Sequence, residues 1–203
     1  MSGIKAIIFD YGNVIAHVDH GIFLRRIAQR SALSLDDLKN LATVHQDLLV
    51  GYESGKMSSA AFGATIIERC KLTMSLDELR DAFVDIFNRI EPTISLIRNL
   101  KSHYKVALLS NTNEWHFRSE IKTVAAYPYF DSVTVSFQVG AMKPSATIYQ
   151  DALSKLGVTG GESLYIDDIP AYVDAARQLG MSAVQYTSHD ALLGDLRTHG
   201  VEI

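Results

Sequence analysis

A short apolar run near the start of the chain, which ends abruptly in polar residues, constrains the fold more than any other feature of the sequence. The run Lys5–Phe9 holds four consecutive apolar residues and stops at Asp10. Runs of this kind, apolar on both faces, indicate a strand buried in a parallel sheet. Three similar runs follow much later in the chain, at Val106–Leu109, Ser163–Ile166 and Ser182–Tyr186.

Helical stretches lie between the strand-like runs. One starts at Pro92, a second starts at Pro144–Ser145 and ends near Gly157, and a third runs from Pro170 to Gly180. Proline suits the first turn of a helix and glycine commonly follows the last turn. Strands that alternate with helices form a parallel sheet with helices on both faces. We therefore expect an α/β fold with a doubly wound parallel-sheet (Rossmann-like) core.

Residues 16–88 differ from the rest of the chain. They contain no strand-like run and show only helical periodicity. The pair Ser75–Glu78 is a capping box, and the pair Ser34–Asp37 imitates one with the shorter acid. A turn between two helices is expected at Gly51–Gly55. These features predict an all-helical segment inserted after the first strand.

This insertion divides the chain into two units. We expect an α/β core formed by residues 1–15 and 89–203, and an inserted helical cap formed by residues 16–88. A helical segment of this size can bury a small core of its own while leaning on its host for stability. The parts of the cap expected to face the core are the tract His17–Phe23 and the turn Tyr52–Lys56.

Composition limits the partners that the chain can have. Its 203 residues include 19 lysines and arginines against 23 aspartates and glutamates, a net charge of −4, which gives no electrostatic footprint for nucleic acid or anionic lipid. No apolar run approaches the roughly 20 residues of a membrane helix. The single cysteine, Cys70, suits a reducing compartment, and no signal peptide is visible before Asp10. We expect a cytoplasmic protein, a monomer or weak homodimer, that binds neither nucleic acid nor membrane.

Polar residues stand at the ends of the strand-like runs. Asp10 follows the first run, Ser110 and Asn111 follow the second, and Asp167–Asp168 follow the third. Lys143 precedes the helix between the second and third runs. Ligands of open parallel sheets bind at the carboxyl ends of the strands, so we expect these side chains to face one site. A carboxylate nucleophile, a hydroxyl with neighbouring amides, an ammonium and a carboxylate pair are the groups that phosphoryl transfer needs.

Each of these residues also has an ordinary structural explanation. An aspartate after a strand commonly forms a turn, Ser110–Asn113 would serve as a helix N-cap, and Lys143 taken alone is typical of a solvated surface. Asp167–Asp168 is less ordinary, because adjacent carboxylates repel each other and favour a nearby cation. The four features together, in this order and each at a strand or helix junction, favour a functional site.

The same stretches resemble the haloacid dehalogenase-like hydrolase superfamily. The matching segments are Phe9–Ile15, Leu109–Asn113, Met142–Pro144 and Ile166–Asp168, and the resemblance spans essentially the whole chain with its helical cap, as in subfamily I. The first segment, together with residues 110–116, looks most like the sugar-phosphatase branch that contains α-D-glucose-1-phosphate phosphatase. The resemblance implies a Mg²⁺-dependent phosphatase for a small phosphorylated metabolite, with a sugar 1-phosphate favoured, that works through an aspartyl-phosphate.

The resemblance also implies a metal site. Asp10 would be the nucleophile and a Mg²⁺ ligand, and the backbone carbonyl of Gly12 and the side chain of Asp167 would be the other protein ligands. Asp168 would touch the metal through water or orient the loop. An aspartate is ionised at neutral pH, but it repels a phosphate dianion until a metal and a lysine cancel the charge.

The resemblance assigns the binding of the phosphate group to three further residues. Ser110 and the backbone amide of Asn111 would hold phosphate oxygens. Lys143 would act in catalysis by neutralising both the nucleophile and the phosphate. A lysine suits this role because it is a compact point charge on a flexible stem.

Gly12 departs from the family pattern. Most phosphatases of the superfamily have a second aspartate there, which protonates the leaving oxygen and later activates water. A sugar 1-phosphate needs less acid catalysis, because an anomeric hydroxyl is more acidic than an ordinary alcohol. A mutase is disfavoured, because it must return the phosphoryl group to a poor nucleophile. The alternative is another proton donor from the cap hinge or the second loop, although a structural role is favoured for each of the candidates: His17, Asp19, His20 and His116.

A second departure lies behind the metal site. The family usually has asparagine where Tyr172 stands and a polar residue where Ala171 stands, so we expect the loop to be held differently and activity or metal affinity to be weakened. Pro170 still makes a sound first helical position. Nearby in the sequence of the second motif, Trp115 offers a ring for stacking on a sugar, but a half-buried helix aromatic is the favoured interpretation.

Two other functions stay open at this point. A 2-haloacid dehalogenase would use Asp10 to attack carbon without a divalent metal, but the pair Asp167–Asp168 would repel its carboxylate substrate. A non-catalytic binding or regulatory protein would explain the missing acid at Gly12, but not the retained nucleophile, lysine and carboxylates. An Asp10→Asn variant separates these possibilities, because a phosphatase loses activity with its fold intact whereas a binding protein keeps its partner.

Overall fold

The computed structural model describes residues 3–203, which fold into a five-stranded sheet and a helical insertion. The strands are β1 (Ala6–Phe9), β2 (Ala16–Val18), β3 (Phe87–Arg89), β4 (Lys105–Ser110), β5 (Ser132–Val135), β6 (Ser163–Asp167) and β7 (Ser182–Gln185). The helices are α1 (His20–Ala28), α2 (Leu35–Val44), α3 (Gln46–Glu53), α4 (Ser59–Arg69), α5 (Leu76–Val84), α6 (Glu91–Leu100), α7 (Glu114–Ser119), α8 (Ser136–Val139), α9 (Ala146–Leu156), α10 (Pro170–Gln178) and α11 (His189–Thr198). Short 3-10 helices cover Ile121–Thr123, Tyr127–Tyr129 and Gly160–Glu162. None of the helices described in 3–203 has the length and apolarity to cross a membrane.

The main sheet is parallel, with β1 at its centre and strand order β5-β4-β1-β6-β7. Successive side chains of a strand point to opposite faces, and in β1 both faces are buried. Ile7 and Phe9 pack into one apolar cluster, with α6 and α11, whereas Ala6 and Ile8 pack into another, with α9 and α10. The predicted fold class, a doubly wound α/β sheet, is confirmed.

The helices of the core begin and end close to the predicted proline and glycine positions. Helix α9 ends where Gly157 adopts a left-handed conformation with φ of 64°, and α10 begins at Pro170. Strand β5 was not predicted. Its sequence, Ser132–Val135, alternates polar and apolar residues at the edge of the sheet, so it lacks the continuous apolar run that marks a central strand.

The cap packs five helices, α1 to α5, around an apolar cluster of its own. Both capping boxes, Ser34–Asp37 and Ser75–Glu78, are present at the starts of α2 and α5. Leu38, Leu79 and Phe83 belong to this cluster, and Trp115 of the core completes it. The cap therefore has its own hydrophobic core, to which the α/β core contributes one side chain, Trp115. The division at residues 15/16 and 88/89 stays a proposal.

Two features of the cap differ from expectation. Gly51 lies within α3, so the turn begins only after Glu53 and reaches Gly55 at φ of 73°. The inserted segment is also not wholly helical, because its two ends form an antiparallel ribbon in which β2 pairs with β3. Strands of three residues are too short for a periodic pattern to reveal them.

Candidate active site

The carboxyl ends of β1, β4 and β6 bring three of the predicted residues to one edge of the sheet. Asp10 follows β1 and donates its backbone N–H to the carbonyl of Ile166 at 2.9 Å. Asp167 is the last residue of β6 and Ser110 the last of β4. All three are buried, because the strands that carry them lie inside the sheet.

Lys143 reaches into this edge from the loop before α9. Its Nζ lies 2.8 Å from Oδ1 of Asp10 and 2.7 Å from Oδ2 of Asp167, and its side chain is 1% exposed. The side chain of Asn111 fixes the backbone of Lys143 in two directions: Oδ1 accepts from the Lys143 N–H at 2.8 Å, and Nδ2 donates to its carbonyl at 3.1 Å. The side chain of Asn111 thus positions the lysine, and the backbone N–H of Asn111 is left for another ligand.

Electrostatics couple the three charged groups. Burial raises the pKa of Asp10, and the repulsion of Asp167 adds to this effect, whereas the attraction of Lys143 opposes it. Burial by itself would lower the pKa of Lys143, but the attraction of the two carboxylates raises it overall. One ammonium therefore faces two buried carboxylates, and the excess negative charge favours a further cation.

The residues present fit a divalent metal ion. Asp10, Asp167 and Asp168 each offer a carboxylate oxygen, and these oxygens lie within 4.8 Å of one another. Hard oxygen ligands of this kind suit Mg²⁺. Asn13 donates to Asp168 at 3.0 Å and the N–H of Ile169 donates to Asp167 at 2.8 Å, so the surrounding loops orient both carboxylates.

The remaining predicted residues surround this cluster. The hydroxyl of Ser110 is buried, and its hydrogen bond to the carbonyl of Asn111 is a long one of 3.4 Å, so the hydroxyl is available to a ligand. Gly12 lies two residues after Asp10, where an added Cβ would meet only Val18, at 3.6 Å. No hydrogen bond within residues 3–203 uses the carbonyl of Gly12.

Two tyrosines beside the lysine were not identified as site residues from the sequence. The hydroxyl of Tyr165 accepts from Lys143 at 3.0 Å and donates to Asp167. The ring of Tyr172 has its centroid 5.0 Å from Nζ of Lys143, within the range of a cation–π interaction. Tyr165 lies inside a buried strand, where the sequence pattern indicates only a core residue. For Tyr172, the departure from the family pattern was the one indication in the sequence.

Glu53 is a further acid at the site, which the sequence analysis included only as part of the turn Tyr52–Lys56 and did not select as a site residue. It ends α3 in the Tyr52–Lys56 turn, and it is partly buried. Burial raises its pKa to about 7; the charge of Asp10 adds to the increase and that of Lys143 reduces it. The charges of Asp10 and Lys143, in the core, therefore influence the pKa of Glu53, in the cap.

The structure excludes His116 as a proton donor to a ligand. Its ring is buried, stacks on Phe83 at 4.4 Å and hydrogen-bonds the carbonyl of Phe83 and the amide of Asn113, each at 3.0 Å. Burial lowers its pKa to about 4. Trp115 is buried in the apolar cluster of the cap, which agrees with the favoured interpretation of a helix aromatic.

Comparison with known proteins gives concordant matches. Residues 7–186 match the family model for haloacid dehalogenase-like hydrolases. A relative named D-ribitol-5-phosphate phosphatase, from Bacteroides thetaiotaomicron, is 28% identical over 194 residues, covering 90% of this chain and 91% of the relative.

Solved structures show the same architecture. A predicted HAD-like family hydrolase from Porphyromonas gingivalis superposes with a TM-score of 0.78 at 25% identity, covering 97% of this chain and 99% of the other. A HAD family enzyme from Bacteroides thetaiotaomicron, solved with magnesium and inorganic phosphate, gives a TM-score of 0.78 at 22% identity, covering 90% and 94%.

Proposed function

Because the chain belongs to the haloacid dehalogenase-like hydrolase family, we propose that it is a Mg²⁺-dependent phosphatase that hydrolyses a small phosphorylated metabolite through an aspartyl-phosphate on Asp10. The observation that carries the proposal is the contact of one buried lysine, Lys143, with two buried carboxylates, Asp10 and Asp167. A third carboxylate, Asp168, lies beside them. This is an arrangement for attack on an anionic phosphorus centre.

The side chains of Asp10 and Asp167 and the carbonyl of Gly12 would hold the metal. A bound Mg²⁺ supplies charge neutralisation for the phosphate and the nucleophile. Lys143 favours the ionised form of Asp10 against the effect of burial, and it faces the same phosphate. Without positive charge a carboxylate and a phosphate dianion repel each other, so Lys143 favours the approach of the phosphate to Asp10, and a bound metal would add to this effect.

The phosphate group is held by Ser110, the backbone amide of Asn111 and Lys143. Ser110 donates its hydroxyl to a phosphate oxygen, and the amide of Asn111 donates to a second. Asn111 also fixes the backbone of the lysine, so its side chain and its backbone serve the same ligand in different ways. Donors fixed before the substrate arrives stabilise the transition state without reorganisation.

The substrate is a phosphorylated sugar or sugar alcohol. The relative named D-ribitol-5-phosphate phosphatase supports this class. Within it, a sugar 1-phosphate is the favoured substrate on the residues of the first loop, because Gly12 carries no acid and the anomeric hydroxyl leaves with the least assistance. The tract His17–Phe23 and the turn Tyr52–Lys56 select the sugar.

The test is phosphate release from a panel of sugar 1-phosphates, sugar 6-phosphates, ribitol 5-phosphate and p-nitrophenyl phosphate, with Mg²⁺ and with chelator. We expect Mg²⁺-dependent turnover in the wild type and its complete loss in Asp10→Asn, with an unchanged circular dichroism spectrum. Asp36→Asn, on the exposed surface of α2, is the matched control and keeps full activity. Absence of turnover for every ester in a folded wild-type sample would instead identify a binding protein.

A further inference from the structure

We infer that Glu53 of the cap is the proton donor and acceptor of the reaction, in place of the acid that Gly12 lacks. The inference rests on the proposed phosphatase function and adds to it a catalytic residue from the inserted domain. With this acid present, the absence of one at Gly12 no longer requires an anomeric leaving group, so phosphate esters of ordinary alcohols, whose leaving oxygen needs a proton, join the substrate class.

The backbone of Glu53 is fixed against the catalytic edge of the core. Its carbonyl accepts a hydrogen bond of 2.6 Å from the hydroxyl of Ser136, and the same hydroxyl accepts from the N–H of Thr112 at 2.9 Å. Thr112 lies two residues after Ser110, in the loop that leaves β4. A single buried serine therefore joins the last residue of α3 to the phosphate-binding loop.

A second contact, two residues further along the chain, also holds the cap against the core. Gly55 adopts φ of 73°, and a Cβ added there would lie 2.2 Å from the carbonyl oxygen of Phe137. The turn thus touches the core at two successive places, Ser136 and Phe137. Glu53 cannot move away from the site unless the turn detaches.

The carboxyl of Glu53 is committed to nothing else. Among residues 3–203, no hydrogen bond or ion pair to its side-chain oxygens is present, although the residue is partly buried. Its position at the carboxyl end of α3 disfavours a negative charge, because the helix dipole is negative there. Burial and Asp10 raise its pKa to about 7, so both protonation states are accessible near neutral pH.

The other acids and bases near the site are less suited. His116 has both ring nitrogens bonded inside the protein. Asp168 accepts from Asn13 and belongs to the carboxylate cluster, where a metal would keep it ionised. His17 is exposed on β2. Glu53 is the acid that combines an uncommitted carboxyl with the influence of both Asp10 and Lys143.

The proton balance of the two steps follows from this assignment. In the first step an oxygen of Asp10 bonds to phosphorus, the bond from phosphorus to the leaving oxygen breaks, and that oxygen takes the proton of the Glu53 carboxylic acid to become an alcohol. In the second step the Glu53 carboxylate removes a proton from water as the water oxygen bonds to phosphorus. The bond to Asp10 breaks, its electron pair returns to the aspartate, and inorganic phosphate leaves with Glu53 protonated again.

The test compares leaving groups in Glu53→Gln. p-Nitrophenolate leaves as a stable anion without a proton, whereas the alkoxide released from ribitol 5-phosphate needs a proton to leave. We expect kcat/KM for ribitol 5-phosphate to fall on the order of 100-fold or more, and that for p-nitrophenyl phosphate by less than about tenfold. Glu68→Gln, which changes an exposed glutamate of α4, is the matched control and leaves both values unchanged.

A second variant keeps the inference falsifiable if Glu53→Gln disturbs the cap. The space beside Gly12 accepts a Cβ at ordinary contact distance, so the first side-chain atom of Gly12→Asp meets no collision. Adding it to Glu53→Gln should restore turnover of ribitol 5-phosphate at least tenfold. Equal losses for both esters, or no loss, would overturn the role of Glu53. A wild type that hydrolyses no ester of the panel would instead overturn the proposed phosphatase function.

Discussion

His116 is a buried base whose protonation state is fixed by its neighbours. The carbonyl of Phe83 can only accept, so the facing Nε2 carries the proton. Asn113 uses Oδ1 to accept from the backbone of His116, so its NH₂ group faces Nδ1. A second proton on Nδ1 would bring two donors together in a buried place. The ring is therefore held neutral, in one tautomer.

This arrangement predicts a pH dependence of stability. The pKa of His116 is about 4 in the folded protein and near 6.5 in the unfolded chain, so the unfolded state binds more protons between these values and acid favours unfolding. The wild type should lose about 3 kcal/mol more unfolding free energy between pH 7 and pH 4 than His116→Phe, as measured by urea denaturation. Parallel pH curves for the two proteins would contradict the assignment.

At the scale of elements, the turn between α3 and α4 decides how the cap sits on the core. Gly55→Ala should lower turnover on the order of 100-fold, because the new Cβ collides with Phe137 and moves the turn that carries Glu53. Gly157→Ala is the matched control: φ is 64° there, but the Cβ would meet open space, so only a stability loss of about 1–2 kcal/mol is expected. Steady-state kinetics and thermal unfolding of both variants separate the two effects.

The elements that the sequence predicted are those with a local cause. Proline at the first turn of α10, glycine after α9 and the two capping boxes in the cap mark their helices without reference to the rest of the chain. Strands β2, β3 and β5 could not be predicted in this way, because they are short and owe their conformation to the partners they pair with.

The candidate site divides along the same line. Asp10 and Asp167 were predictable because each directly ends a recognisable strand. Tyr165 was not, because its relevance arises only when a lysine from a distant loop arrives at 3.0 Å from its hydroxyl. Glu53 was located only as part of the turn Tyr52–Lys56, because the charges that act on it come close only when the cap folds over the core. Long-range contacts of this kind leave no local pattern in the sequence.

At the scale of the whole molecule, Lys143 joins segments that are far apart in the chain. It holds the ends of β1 and β6 together through Asp10 and Asp167. Removal of this ammonium leaves buried carboxylates without a counter-charge, so without Mg²⁺ Lys143→Met should lose about 3–5 kcal/mol of unfolding free energy. Lys39→Met, which breaks an exposed pair with Asp36, should lose less than about 1 kcal/mol.

Chemical denaturation with and without Mg²⁺ checks this prediction. A divalent cation replaces part of the missing charge, so Mg²⁺ should stabilise Lys143→Met by more than it stabilises the wild type. Equal stability of Lys143→Met and Lys39→Met in the absence of metal would show that the lysine does not balance the two aspartates.

The ribbon of β2 and β3 has a consequence for how such a protein diversifies. Ala16 pairs with Arg89, so the inserted segment leaves the core and returns to it through two paired strands of a separate ribbon. The gap that an insertion must bridge is therefore the separation of two paired strands, whatever its length, and the entropy of closing a loop rises only with the logarithm of that length. Recombination can exchange one insertion for another of different size while β1, β4 and β6 keep their side chains in place. Specificity and proton transfer can thus change with the insertion, while the carboxylates and the lysine of the site stay with the core.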